Sequence, residues 1–245
     1  MIQKIQKVQG EKQNIEFKVR EEILRGSLFT PDGKGPFPGV VSYHGRGSSR
    51  ENYLPMAESL AQNGILALAF DFRGCGESDG ELKDQTHRMG IEDGKAGLEF
   101  LLTQNVDKQR IGIQGTSFGG YITGMVLRDY DFIKSVVLRA PSAHSMITLI
   151  SKPTPTDNYF QKRENWENSG SYKGLEKFKG NLLVIESEKD ELLSSETVRK
   201  YYKVAMKAVK RKLFVQKNAG HSLSDNPKLM EEFCKITVDW FLETL

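Results

Sequence analysis

Ser117 stands in Gly115-Thr116-Ser117-Phe118-Gly119, with Gly120 next, where the apolar run Ile111-Gly112-Ile113 gives way to a helical pattern. A serine on a sharp turn between strand and helix, flanked by residues of little bulk, suits nucleophilic catalysis. The turn lifts the hydroxyl clear of the sheet, and the following helix aims its free N–H groups at an oxyanion forming beside it. The GxSxG spacing is weak evidence by itself, because a glycine-rich turn can carry an incidental serine. Its strand-turn-helix setting favours the nucleophile.

A serine hydroxyl needs a base, and the chain has four histidines: His44, His87, His144 and His221. His221 lies in Asn218-Ala219-Gly220-His221-Ser222, after the strand-like Leu213-Phe214-Val215 and before a closing helix. A loop beyond the end of a parallel strand opens on the same sheet edge as the Ser117 turn, so the two can meet. His144 begins an irregular segment, where a surface or substrate-side role is expected. The acid should follow the strand Leu182-Leu183-Val184-Ile185. Asp190 is favoured there, with Leu192 and Leu193 to anchor its loop, and Glu188 is the alternative. Its carboxylate would accept the second N–H of His221 and fix the tautomer. Two backbone N–H groups are assigned to the oxyanion hole, that of Phe118 and that of Arg46 in Tyr43-His44-Gly45-Arg46-Gly47-Ser48. His44 is expected to hold this second loop by hydrogen bonds.

These residues need elements to carry them. Asn14–Val19 and Ile23–Phe29 alternate as an antiparallel pair, and Gly39–Tyr43 reads as a strand buried on both faces. Thereafter helical and strand-like stretches alternate: helices at Tyr53–Gln62, Ile91–Thr103, Phe118–Arg128, Ser195–Ala208 and Pro227–Leu245, strands at Ile65–Phe70, Arg110–Gln114, Ser135–Leu138, Leu182–Ile185 and Lys212–Val215. The pattern predicts an α/β fold, an eight-stranded, mostly parallel sheet with helices on both faces. Residues 143–180 break the alternation and are expected to form a short cap over the site. Its Tyr159, Phe160 and Trp166 are candidates for substrate binding, with Met146, Ile147, Leu149 and Ile150 as further apolar residues and Lys152, Lys162 and Arg163 on a wet outer face. Residues 1–245 are read as a single domain carrying that insertion.

The chain resembles the α/β-hydrolase superfamily, in particular small bacterial serine esterases and the related acyl-peptidase catalytic domains. The resemblance rests on His44-Gly45-Arg46-Gly47, Asp71-Phe72-Arg73-Gly74-Cys75-Gly76-Glu77-Ser78, Gly115 to Gly120, the Asp190 loop and Gly220-His221-Ser222, in family order along nearly the whole chain. It implies an α/β-hydrolase fold, the triad Ser117, Asp190 and His221, and a structural role for the turn from Asp71 to Ser78. Two departures stand out. Arg46 occupies a place where a small or apolar residue is common, and the acid loop lacks the proline often found after the aspartate.

Composition bounds the rest. With 245 residues, 38% hydrophobic and 27% charged, the chain can bury a sizeable core. The net charge is only +3, and the basic run Lys207–Lys212 lacks interleaved aromatics, so nucleic acid is not an expected partner. That run is expected near a helix C-terminus, where cations meet the negative end of the dipole. No apolar run is long enough to span a membrane, the first residues are too polar for a secretory signal, and two cysteines without CxxC spacing suggest neither disulfides nor zinc. A cytoplasmic location is the expectation. The expected activity is hydrolysis of small carboxylic esters, of short to medium or aromatic acyl groups, through an acyl-enzyme without cofactor or metal. An amidase or peptidase is the alternative, and a non-catalytic binding protein a more distant one.

Overall fold

The computed structural model describes residues 11–146 and 159–245. Eight strands form one sheet: β1 Glu11–Val19, β2 Glu22–Thr30, β3 Phe37–Tyr43, β4 Leu66–Phe70, β5 Val106–Thr116, β6 Ser135–Arg139, β7 Asn181–Ser187 and β8 Lys210–Gln216. Their order across the sheet is β1-β2-β4-β3-β5-β6-β7-β8. The β1–β2 and β2–β4 pairs are antiparallel and every later pair is parallel, as the alternation of elements predicts. Among the described residues the α-helices are α1 Leu54–Gln62, α2 His87–Leu102, α3 Phe118–Val126, α4 Gly170–Lys177, α5 Ser195–Val204 and α6 Pro227–Thr244.

Period two in the central strands feeds two separate cores. Val40, Val137 and Leu183 point into a cluster with Met56 and Leu60 of α1 and Phe233 and Phe241 of α6. Their neighbours Val41, Val136, Leu138, Leu182 and Val184 point into the other, with Leu98 of α2, Ile122 of α3 and Tyr201 of α5. Side chains on a strand alternate between faces, so a strand buried on both must be apolar at nearly every position.

Helix boundaries differ from the sequence pattern in several places: α2 begins at His87 rather than Ile91, and α3 ends at Val126 rather than Arg128. The fifth helix stops at Val204, not Ala208, so Lys207 lies in a turn and Lys210–Lys212 belong to the edge strand β8. The expected cation at a helix end is supplied from that strand, by Arg211 Nη1 donating to the Tyr202 carbonyl at 3.1 Å. Within the predicted cap, α4 was not foreseen. It is seeded by Ser169, whose hydroxyl accepts the Ser171 N–H. It then packs on α3 through glycine: a Cβ at Gly174 would overlap the Gly124 carbonyl oxygen, and one at Gly124 would stand 2.7 Å from the Ser171 carbonyl oxygen. A helix whose contact face is glycine has little apolar periodicity to read. Ile147, Leu149, Ile150 and Lys152 of the predicted cap lie outside the described residues.

The turn after β4 is built around a buried carboxylate. Asp71 accepts the backbone N–H groups of Arg50 at 2.7 Å and Glu77 at 3.1 Å, and pairs with the Arg50 guanidinium. Ser78 Oγ donates to the Asp71 carbonyl at 2.6 Å and accepts the Arg25 N–H at 2.9 Å. The stretch from Asp71 to Ser78 thereby ties β2, the end of β4 and the segment after β3 together. Removing one partner of a buried pair leaves the other desolvated without compensation, at about 3 kcal/mol or more. Asp71→Ala is therefore expected to cost about 3 kcal/mol, read as a lowered urea midpoint.

Candidate active site

β5 runs directly into α3 with Ser117 as the only residue between them. Ser117 has φ 52° and ψ −115°, a conformation that costs a non-glycine residue about 1–3 kcal/mol and persists only when neighbours enforce it. They do so through both backbone groups. The Ser117 N–H donates to the Arg139 carbonyl at 3.0 Å, and its carbonyl accepts Gly120 N–H at 2.9 Å and Ser142 N–H at 3.0 Å. Flanking glycines give the room: a Cβ on Gly119 would overlap the Tyr43 carbonyl oxygen, and one on Gly115 the Thr123 hydroxyl.

The three residues singled out for the triad meet. Ser117 Oγ lies 2.9 Å from His221 Nε2, and His221 Nδ1 lies 3.0 Å from Asp190 Oδ2. Asp190 can only accept there, so Nδ1 carries the proton and Nε2 is free to accept from the serine. The acid is the sheltered member: its side chain is 5% exposed, against 16% for His221. Asp190 Oδ1 also accepts the N–H groups of Leu192 at 3.0 Å and Leu193 at 2.8 Å, the two residues expected to anchor this loop. Glu188 turns away. It pairs with Lys217 at 2.6 Å and accepts the Asn218 N–H, contacts that hold its carboxyl below the usual range.

Phe118 opens α3, so its N–H has no acceptor within the helix and stands beside the serine. On the opposite side the turn from Gly45 to Ser48 closes with Ser48 N–H donating to the Gly45 carbonyl at 3.1 Å. A Cβ on Gly45 would lie 3.5 Å from Ser117 Cβ, so the backbone leading into Arg46 passes against the serine. His44 braces that loop as expected. Its Nε2 accepts the Phe72 N–H at 3.0 Å, which leaves Nδ1–H to donate to the Gly45 carbonyl at 2.7 Å, and burial lowers its pKa.

The cap residues divide. His144 is buried and so not at the surface; its ring packs on His87, Tyr121, Phe160 and Tyr159 with centroids 4.3 to 5.8 Å away. Burial, aided by His87 and Arg46, drives its pKa well below the ordinary value and keeps it neutral. Tyr159 and Phe160 thus join an aromatic group that also touches Phe118. Trp166 does not: it is buried, its indole N–H donating to the Phe160 carbonyl at 3.1 Å and the cations of Arg163 and Lys200 near its ring.

Arg139, at the end of β6, was missed. It is 2% exposed, and its guanidinium donates to the carbonyls of Gly220 and His221 and to Ser187 Oγ, each at 2.9 Å. Since its own carbonyl receives the Ser117 N–H, one residue holds the backbone of the serine and the loop of the histidine. The only signal was a charge closing the buried run Ser135-Val136-Val137-Leu138.

An open, mostly parallel sheet with this serine turn is an α/β-hydrolase. The profile of the prolyl oligopeptidase family (Peptidase_S9) matches residues 53–245, and the chain belongs to that family. It is 26% identical over 196 residues to mouse (Mus musculus) acyl-coenzyme A amino acid N-acyltransferase 1, covering 72% of this chain and 45% of that protein. The chain spans about a third to a half of the length of the first curated relatives it matches. Among solved structures it resembles Est1E of Butyrivibrio proteoclasticus with ferulic acid bound (TM-score 0.75, 20% identity, 94% of this chain and 98% of that one). It also resembles the acylaminoacyl peptidase of Pyrococcus horikoshii (TM-score 0.72, 21% identity, 95% and 41%).

Two variants test this geometry. Asp190→Asn should lower kcat on p-nitrophenyl butyrate by about 10⁴ through the wrong tautomer, with Glu188→Gln near wild type. Arg139→Met should lower kcat about 100-fold with KM little changed, because a small displacement of the base suffices for such a loss. Arg139→Lys should recover part of it.

Proposed function

We propose that the chain is a serine-dependent carboxylic ester hydrolase that works through an acyl-enzyme on Ser117, with short to medium or aromatic acyl groups. The observation that carries this reading is the unbroken hydrogen-bonded line from Asp190 through His221 to Ser117. Ser117 Oγ attacks the ester carbonyl carbon while His221 Nε2 takes its proton. The imidazolium, steadied by Asp190, returns that proton to the departing alkoxide as the C–O bond breaks. Water then attacks the acyl-enzyme, giving a proton to Nε2, and Ser117 leaves with it. Negative charge on the carbonyl oxygen is met by the Phe118 and Arg46 N–H groups.

The acyl preference rests on the aromatic group of Tyr159, Phe160 and His144 against Phe118. Aromatic edges and faces suit a planar or short acyl chain. Each additional methylene in such a pocket contributes only about 1–3 kcal/mol, so selectivity is graded. An amide-cleaving role is the second reading, favoured by the family match and the likeness to an acylaminoacyl peptidase.

One experiment addresses both. The ratio kcat/KM is measured across p-nitrophenyl esters from acetate to palmitate, a hydroxycinnamate ester and aminoacyl anilides, with Ser117→Ala as control. The expected optimum is a short to medium or hydroxycinnamoyl ester, with activity and fluorophosphonate labelling lost in a folded Ser117→Ala protein by about a millionfold in kcat. An optimum at palmitate would reject the acyl assignment. Anilides preferred over every ester would make the protein an amidase.

A further inference from the structure

Arg46 is a half-buried cation that pairs with no carboxylate among the described residues. Its Nη2 donates to the Leu82 carbonyl at 3.1 Å, and its buried Nε has no hydrogen-bond partner among the described residues. The contrast with its neighbours is sharp: Arg50 is matched by Asp71 and Glu77, and Arg73 by Asp93, Glu22 and Glu92. A guanidinium drawn partly out of water and left on neutral oxygen alone is costly unless something supplies the charge. Burial accordingly lowers its pKa, with Cys75 acting the other way.

Its place gives that cost a use. Arg46 follows Gly45, whose backbone passes against Ser117, so its side chain begins close to that serine. From there it reaches the Leu82 carbonyl, and its charge is felt at His144. His144 is only 4% exposed, and its Nδ1 has no hydrogen-bond partner among the described residues. Two buried nitrogens without a partner among the described residues thus occur here, one on Arg46 and one on a ring of the aromatic group assigned to the acyl chain.

Resting on the ester-hydrolase reading, we infer that Arg46 selects acyl groups bearing a carboxylate, the monoesters of short dicarboxylic acids. Guanidinium and carboxylate pair in a planar, two-bond geometry, and the exchange of a neutral oxygen partner for an anion completes what the loop lacks. The arginine side chain spans on the order of 6 Å, so a carboxylate roughly three or four carbons from the scissile carbonyl is within range. The alcohol part of the ester lies beyond this pairing and stays unselected.

The test is a ratio, which cancels any effect of Arg46 on the oxyanion hole. The wild-type enzyme should favour the p-nitrophenyl monoester of glutarate over p-nitrophenyl butyrate by about tenfold or more in kcat/KM. The ratio should fall near one in Arg46→Gln, be partly kept in Arg46→Lys, and shrink as salt is raised. A carboxylate placed instead on the alcohol part should bring no advantage. Binding of monomethyl glutarate to the Ser117→Ala protein, followed by calorimetry, reads the same pairing without turnover. That binding should weaken about tenfold or more when Arg46→Gln is added. Equal rates for the two wild-type esters, a ratio unmoved by Arg46→Gln, or binding indifferent to Arg46 would overturn the inference. Loss of all ester turnover with binding still dependent on Arg46 would instead overturn the hydrolase reading and leave the anion site standing.

Discussion

The structure turns on one steric constraint: β5 must become α3 across a single residue. Ser117 pays for that with a positive φ, and everything within reach is arranged so that no other path is open. Glycines at 115 and 119 let strand, helix and the end of β3 approach to backbone contact. The Arg139 carbonyl and the Ser142 N–H hold the two sides of the turn. The same constraint shapes the site, since a helix that starts at the next residue leaves its first N–H beside the serine without an acceptor inside the helix.

Around this turn the loops are held by buried polar side chains that meet backbone carbonyls and amides. Arg139 reaches the carbonyls of residues 220 and 221, His44 spans Phe72 and Gly45, and Asp71 collects the N–H groups of Arg50 and Glu77. Bonds of this kind are expensive to leave half made in a low dielectric, so each loop has one satisfied arrangement. Three loops that arrive from different strands are thereby kept in mutual register to within hydrogen-bond tolerances.

The central strands were readable because burial on both faces demands continuous apolar residues, and the Ser117 turn because it follows such a strand; the His221 loop follows the half-exposed edge strand β8, whose short apolar run Leu213-Phe214-Val215 still marked it. Asp190 was favoured over Glu188 from Leu192 and Leu193 alone, but only the structure shows how that turn aims it: Glu188, Asp190 and Glu191 share one loop, and the Leu192 and Leu193 N–H groups hold Asp190 toward the histidine. Arg139 was hidden for the opposite reason, as a lone charge ending an apolar strand looks like an exit to solvent. Trp166 looked like a binding aromatic because size and apolarity are visible in sequence whereas the direction of burial is not. The helix at Gly170–Lys177 escaped notice because glycines, which ordinarily argue against helix, are what let it touch α3.

That glycine seam between α3 and α4 has a mechanical consequence. Where side chains interdigitate, two helices can slip by changing rotamers. Where Gly174 rests on the Gly124 carbonyl, backbone meets backbone and there is no soft layer to shear. The helix α4 is therefore pinned to the very helix whose first residue is Phe118. A load on Gly170–Lys177 is carried by the backbone of α3, the helix that begins directly after Ser117.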